Sequence, residues 1–529
     1  MSAVTGTAPL LRRSVAYDGR SFVPWVVIAT ALSASSVLVY PWVFPSMHDR
    51  QGLAATIGAN PALGLVFGPA HDLTTADGFN AWRCLALGGF VAALAAVFAV
   101  VRATRGQEDS GQAELLASGV MGRGARLLTA VVMGLVGSAL LGVVTAVVTV
   151  ACGGGWQPTL LLAATFTATG WMFTAVAAVT AQLGSDARTA STMAVGTLGV
   201  LFVLRGFAYS VDAPAWTVWV NPLGWTMKTQ PAATNTWWPL ALTVVFTAIV
   251  LVAAFALQAR RDFGQGALAP RPGPARGTTR SVWRLAVRLN RGPLITWAAA
   301  FVLLGVVFGY FTTSVTDLFS SDSGIADILA AGATTPEAIV SAFLVTVLSL
   351  LGIIASVPGV QTMLKVRTEE TEDRVEPLIA TATTRIGYYA ANTALALAGP
   401  TVYVLVAGTV VATLASRADL GVTFGEVVLQ ALATVPAVWA VVAVSVAVVG
   451  ARPKVALAAW LGVLASFVLT LLGPTFGLPD WALAISPFWH VPNTTTPGAD
   501  VTGLIVVTLV ACALVTVGTV GFRRRDLAR

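Results

Sequence analysis

From Leu127 to Ala151 the chain runs for 25 positions without a charged residue. A helix of roughly 20 apolar residues reaches across the ~30 Å hydrocarbon core of a bilayer. Inside lipid every backbone N–H and C=O must be paired within the segment, so a single run of this kind folds as a helix. Eleven other runs share the character. The twelve lie near 22–43, 82–101, 127–151, 160–183, 189–208, 238–258, 295–314, 339–364, 387–414, 425–449, 455–473 and 501–521. Polar residues interrupt the fifth and the eleventh. Charged residues make up 10% of the chain and apolar ones 56%, whereas a soluble domain carries about 25% charged residues. The fold class expected is an all-α polytopic membrane protein with about twelve transmembrane helices. Leu10 and Leu11 precede Arg12 and Arg13, and the first run is long enough to span, so no cleavable signal peptide is expected.

Basic residues orient such a chain. With the amino terminus inside, 26 of the 31 lysines and arginines fall on cytoplasmic segments. Only Arg50, Arg83, Arg205, Lys228 and Arg417 fall outside or near the outer ends. Acidic residues split about evenly, and it is the lysine and arginine bias that sets topology. The expected location is the plasma membrane, multi-pass, with both termini cytoplasmic. The net charge of +7 follows from this bias, and no nucleic-acid partner is expected. Cys84, Cys152 and Cys512 sit in apolar runs, and His48, His71 and His490 sit in loops. Their spacing suits neither a disulfide framework nor a metal site.

One charged segment occurs twice. Arg105 to Arg123 reads RGQEDSGQAELLASGVMGR, and Arg367 to Arg385 reads RTEETEDRVEPLIATATTR. The two align without a gap, pairing Arg105 with Arg367, Glu108 with Glu370, Glu114 with Glu376 and Arg123 with Arg385. Other matches keep the same order. Thr74, Thr75 and Asp77 match Thr334, Thr335 and Glu337; Pro214, Trp216, Asn221 and Pro222 match Pro479, Trp481, Ser486 and Pro487. Arg260, Arg261, Asp262 and Phe263 match Arg524, Arg525, Asp526 and Leu527, and Trp25 and Arg12 match Trp297 and Arg284. Each copy therefore holds six spans. An even number returns the chain to its starting side, so the copies share an orientation and a pseudo-two-fold along the membrane normal. The expected division is 1–263 and 282–529, joined by the Gly-, Pro- and Arg-rich linker 264–281.

The repeated pieces suggest roles. In VWRLAVRLNR, Arg284, Arg288 and Arg291 share one helix face, and Val282, Leu285 and Leu289 share the opposite one. That suits a helix lying along the inner membrane surface; the alternative is a plain charged flank. The first copy, with Arg12 and Arg13, is less regular. A bare connection between neighbouring spans needs about 2–8 residues, so the longer duplicated segment suits docking of a soluble partner, one per half; a solvated face is the alternative. Glu370 and Arg374 stand in the favourable i, i+4 order there. The outer motif Pro-x-Trp-x4-[Asn/Ser]-Pro holds Trp216, Asn221 and Pro222, then Trp481, Ser486 and Pro487. Aromatic rings favour the interface, so an anchor is expected, with ligand contact as the alternative.

Several engines are missing. No G-x-x-x-x-G-K-[ST] phosphate loop and no HExxH occurs. Acids and histidines are absent from the span centres, where an ion-coupled carrier keeps them; Glu426 lies at the outer edge of the tenth span. The chain is not expected to be an enzyme by itself, and the energy for transport must come from elsewhere.

The order R-x-x-E-x5-E-x-L-x6-R after the second and eighth spans, NPLGW at Asn221 to Trp225, and RRDF or RRDL after each last span resemble the ABC-2 type exporter permeases. The nearest group in character is the actinobacterial exporters of polyketide antibiotics, related to tetronasin-type permeases. The resemblance covers essentially the whole chain, although the second copy reads SPFWH where the first has NPLGW. It implies a type V exporter-like permease bound by two copies of a separate ATPase subunit at the cytoplasmic face. ATP and Mg would sit on that subunit, with no cofactor on this chain. Arg105, Glu108, Glu114 and Arg123, with Arg367, Glu370, Glu376 and Arg385, would form the coupling element. Reversing charge at Glu108 and Glu370 is expected to uncouple the complex without unfolding it. The second and fifth spans of each half would line the path, suggesting Phe90, Phe98, Phe202, Phe343, Trp460 and Phe467 for a hydrophobic small-molecule substrate; aromatics facing lipid or a neighbouring helix are the alternative. The implied function is export of hydrophobic or amphiphilic compounds such as antibiotics. An ion-gradient-driven secondary multidrug antiporter is the alternative.

Overall fold

The computed structural model describes residues 5–58, 61–117, 122–210, 213–261, 265–268, 281–313, 336–381, 383–418, 420–472, 478–496 and 498–526. Thr334, Thr335, Asp262, Phe263, Leu527 and most of the linker 264–281 lie outside these residues. Among the described residues, twelve helical segments are long and apolar enough to cross a membrane. They centre on α1 (Val23–Val43), α2 (Ala76–Val101), α3 (Ala125–Ala151), α4 (Trp156–Leu183), α5 (Ala187–Ser210) and α6 (Pro239–Arg260). The series continues with α7 (Val282–Thr313), α8 (Pro336–Thr371), α9 (Arg385–Arg417), α10 (Phe424–Ala451), α11 (Leu461–Phe467) and α12 (Thr502–Arg524). The chain is an all-α polytopic membrane protein.

Two expectations change in detail. The eleventh span is not one regular helix: a 3-10 stretch over Pro453–Trp460 precedes α11, and a π-turn over Val468–Leu472 follows it. Pro453 starts this break, since it lacks the N–H that would continue α10. The segment before the first span of each copy also differs. In the first copy Thr7–Asp18 is a separate helix, joined to α1 by a 3-10 turn, Gly19–Phe22. In the second the arginine-bearing stretch is the start of α7, a continuous helix of 32 residues. Arg12, Arg13, Arg284, Arg288 and Arg291 are all exposed.

The chain divides into two compact units, Met1–Gly273 and Pro274–Arg529. In the first, α4 is the central post, packed against α2, α3, α5 and α6. In the second, α10 holds that place, packed against α8, α9, α12 and the stretch Pro453–Trp460. Lipid tails are as apolar as leucine, so helix association in a membrane depends on close van der Waals packing of small residues. The α10–α12 crossing follows that rule. Gly450 and Gly518 bring the backbones together, so that a Cβ at Gly450 would fall 2.1 Å from the Gly518 carbonyl oxygen. Ala181 and Ala254 take these two places in α4 and α6, Ala254 with no exposed surface. Glu426 closes a capping box with Thr423 at the start of α10, which accounts for an acid at the edge of a span.

A Cβ at Gly518 would stand 2.4 Å from the Val446 carbonyl oxygen, so Gly518→Val must push α12 off α10. The expected loss is about 1–3 kcal/mol or more, read as a lower melting temperature of the detergent-purified chain. Gly199→Ala, where an added Cβ meets nothing within 4 Å, is expected to melt no lower than the parent.

Candidate functional site

The duplicated charged segment has an anchored part and an exposed part. In the first unit the helix of α2 continues through one π-turn, Arg102–Gly106, which carries Arg105 inward. The side chains of Arg105 and Glu108 are 1% and 6% exposed. Glu108 accepts from three arginines: Oε2 from Arg105 Nη1 at 2.8 Å, and Oε1 from Arg126 Nη2 and Arg261 Nη2, each at 2.7 Å. Arg105 Nε donates to the Ala181 carbonyl in the last turn of α4, and Arg261 Nη1 reaches the same oxygen at 3.3 Å. Arg123 Nη2 donates to the Arg261 carbonyl at 3.3 Å. One carboxylate thus ties the end of α2 to the start of α3 and the ends of α4 and α6.

The second unit repeats the plan. The Glu370 side chain is 1% exposed and takes a two-pronged grip from Arg525, Nη1 to Oε1 and Nη2 to Oε2, the latter at 2.7 Å. Arg367 Nη1 stands 3.3 Å from Oε2. Arg525 Nε donates to the Gly450 carbonyl in the last turn of α10 at 3.0 Å, and Arg385 Nη1 donates to the Arg525 carbonyl at 3.2 Å. The counterpart of Arg126 is Tyr388, whose hydroxyl donates to the neighbouring Glu369 at 2.7 Å instead. At an effective dielectric near 20, a charge pair at these distances gains roughly 6 kcal/mol in gross terms, most of it offset by desolvation. The position is specified because no partner can be removed cheaply.

A tight turn ends each anchored part. Gly111 and Asp373, equivalent in the alignment, have φ of +73° and +55°. Their N–H groups donate to the Glu108 and Glu370 carbonyls at 3.1 and 3.3 Å. Glycine meets the left-handed requirement freely, and aspartate is among the residues that tolerate it. Beyond the turn lie two short helices, Gln112–Ala117 and Glu376–Ile379, on which Glu114 and Glu376 are exposed. In the first unit Asp109 also accepts from the Ala187 N–H at 2.8 Å, at the start of α5. Asp186 caps the same helix. Partial burial works against its charge, but hydrogen bonds from the Thr189 amide and hydroxyl and from Ser185 hold its carboxyl below the usual carboxylate range.

These positions correct two expectations. Glu108 and Glu370 are buried anchors rather than charges shown to a partner, so reversing them would set a lysine among arginines and would not leave the fold intact. The Glu370–Arg374 pair does not form; the turn at Asp373 intervenes, and Arg374 pairs with Glu372 at 2.8 Å. Arg126, Arg261 and Arg525 were missed as site residues. The RRDF and RRDL matches were the signal, since the second arginine of each closes on the glutamate.

The aromatic candidates scatter. Phe90 and Phe202 pack edge to face at 5.1 Å, Phe98 stacks on Trp25 at 5.9 Å, and Phe343 lies in the core of its own unit against Phe311 at 5.2 Å. Phe343 is 2% exposed, so within its unit it does not line an open path. Trp460 is half-buried, and Phe467 is exposed. In the outer motif Asn221 is buried, accepting from the Leu223 N–H at 3.0 Å and donating to the Leu201 carbonyl of α5 at 2.7 Å. Ser486 accepts from the Phe488 N–H at 3.3 Å and shares a hydrogen bond with Thr470 at 2.8 Å. Pro222 and Pro487 follow these caps as first helical residues, and Trp216 and Trp481 are exposed. Among the described residues no group of histidines, cysteines and acids could hold a metal.

A polytopic helical chain with a charged anchor at one end of each unit has the build of a membrane transport permease, and the chain belongs to the ABC-2 type transporter permeases. Residues 46–230 match the ABC-2 type transporter family, and residues 280–523 match the C-terminal domain of the multidrug efflux system permease Rv1217c. Over 540 aligned residues, covering 99% of this chain and 96% of the relative, it is 35% identical to the multidrug efflux system permease protein Rv1217c of Mycobacterium tuberculosis.

Removing the carboxylate should be costly only where it is buried. Glu370→Gln is expected to lose about 3–5 kcal/mol of stability by stranding Arg525. Glu376→Gln is expected to stay within about 0.5 kcal/mol. Melting of the purified variants compares the two, and equal melting would contradict the anchor.

Proposed function

We propose that the chain is the permease of an exporter driven by a separate ATPase subunit, two copies of which dock on the short helices Gln112–Ala117 and Glu376–Ile379 through the exposed Glu114 and Glu376. In this reading the charged end of each unit faces the cytoplasm, both termini lie there, and the membrane is the plasma membrane. ATP and Mg belong to the partner. The cargo is a hydrophobic or amphiphilic compound, in line with the relative's designation as a multidrug efflux permease.

The observation that carries the proposal is the pairing of an exposed acid on a short helix with a buried anchor in both units. A push on Gln112–Ala117 passes through the turn at Gly111 to Glu108, and from there to α3, α4 and α6 at once. Packed helices and paired charges shift as bodies between discrete arrangements rather than bending continuously. Closure of the ATPase pair would therefore reach the spans as a rigid displacement.

Glu114→Lys combined with Glu376→Lys is expected to leave melting within about 0.5 kcal/mol of the parent, as exposed substitutions do. Drug-stimulated ATP hydrolysis and export by the complex should fall at least about tenfold, since like charges met at an interface cost several kcal/mol. Unchanged coupling would refute the docking assignment. Full export by vesicles holding this chain without an ATPase, lost when the proton gradient collapses, would favour the antiporter instead.

A further inference from the structure

The second unit contains a cavity that the first unit has filled. It lies between α7, α8 and α9 near the charged end, with a volume of about 140 Å³. Each of the three helices carries a proline in its wall: Pro293, Pro358 and Pro400. A proline inside a helix removes one hydrogen bond and frees the carbonyl four residues earlier. Pro293 frees that of Leu289, and Lys365 Nζ reaches it at 3.3 Å while also donating to Asn290 Oδ1 at 3.0 Å. Gln361 and Thr362 add polar groups to the wall, and Trp297 and Tyr403 add aromatic surface.

Four of these places in the first unit are apolar and closed. By the alignment of the charged repeats, Gln361, Thr362, Lys365 and Tyr403 correspond to Ala99, Val100, Ala103 and Leu141. All four of these are buried. Leu294 corresponds to Phe22, whose ring lies against Gly137, 2.4 Å from where a Cβ would stand. The counterpart glycine, Gly399, has nothing nearer than Leu294 at 3.5 Å. One copy packs this crossing as solid core, so the fold does not require a polar opening there.

One cation, Lys365, stands in the wall of the opening. Lys365 keeps 34% of its side chain exposed, with Glu369 at 3.7 Å, and that acid also accepts from Tyr388. Arg288 and Arg291 are exposed elsewhere on α7. Basic groups beside apolar surface at the end of a span favour an anionic head with a chain in the bilayer. We propose that this cavity binds the anionic head, phosphate or carboxylate, of an amphiphile from the adjoining leaflet. The head meets Lys365, Gln361 and Thr362, and the first methylenes lie on Trp297. The site does not depend on the export reading, because this chain alone should bind.

The test uses the full chain in nanodiscs with diazirine-bearing phosphatidylglycerol, phosphatidylcholine or dodecyl phosphate, and maps the crosslinks by mass spectrometry. Adducts are expected on peptides around Trp297 and Leu395 with the anionic probes and not with phosphatidylcholine. Labelling by phosphatidylglycerol would identify the bilayer lipid as source. Labelling by dodecyl phosphate alone would point to a single-chain, cargo-like amphiphile, and either supports the site. The combined change Gln361→Ala, Thr362→Val and Lys365→Ala, which installs the first unit's residues, should reduce labelling about fivefold or more, as expected for loss of a lysine near an anionic surface. Gly399→Leu should do the same by filling the space, while Gly399→Ala should not. Equal labelling by phosphatidylcholine, or labelling that survives both the triple change and Gly399→Leu, would overturn the proposal.

Discussion

A carboxylate withdrawn from water at the end of a membrane span persists only if cations are brought to it, and in each unit that demand sets where several helix ends must lie. The arginines do double service. The carbonyls in the last turn of α4 or α10 carry the negative end of a helix dipole and lack intrahelical donors. A guanidinium placed between the glutamate and those carbonyls answers both at once, as Arg105 and Arg261 do at Ala181 and Arg525 does at Gly450. Its planar fork suits this better than a lysine ammonium would. The alanines and glycines at the α4–α6 and α10–α12 crossings serve the same geometry, because the arginine after each last span reaches the glutamate only if the two backbones run close.

Much of the fold was legible because lipid restricts what a sequence can do. Span length follows from bilayer thickness, and the duplication appeared as an ungapped match of charged residues in an otherwise apolar chain. The departures have local causes. Pro453 breaks the eleventh span, and the arginines before the seventh continue straight into it. At the site, Arg-x-x-Glu followed by a second glutamate was readable, but which glutamate points inward was not. An i, i+3 pair serves equally on a solvated face or as a buried anchor. The choice is made by a turn at Gly111 or Asp373 and by an arginine 153 or 155 residues further along the chain, and neither is encoded within the segment itself.

The two copies have the same plan but distribute their charge differently. In the first unit, Glu108 spreads its hold over Arg105, Arg126 and Arg261, so α2, α3 and α6 meet at one carboxylate. In the second, Tyr388 replaces the middle arginine and turns to Glu369, Arg367 stands further off, and the two-pronged contact with Arg525 concentrates the hold on α12. Under the docking proposed above, a push on the short helix of each unit would be shared among three partners in one case and passed mainly to a single helix in the other. The polar cavity falls on this second side, where α7, α8 and α9 leave space that Phe22, Ala99 and Leu141 occupy in the first. Duplication supplies two anchors of one design, and a few substitutions at their base are enough to distribute their ion pairs differently.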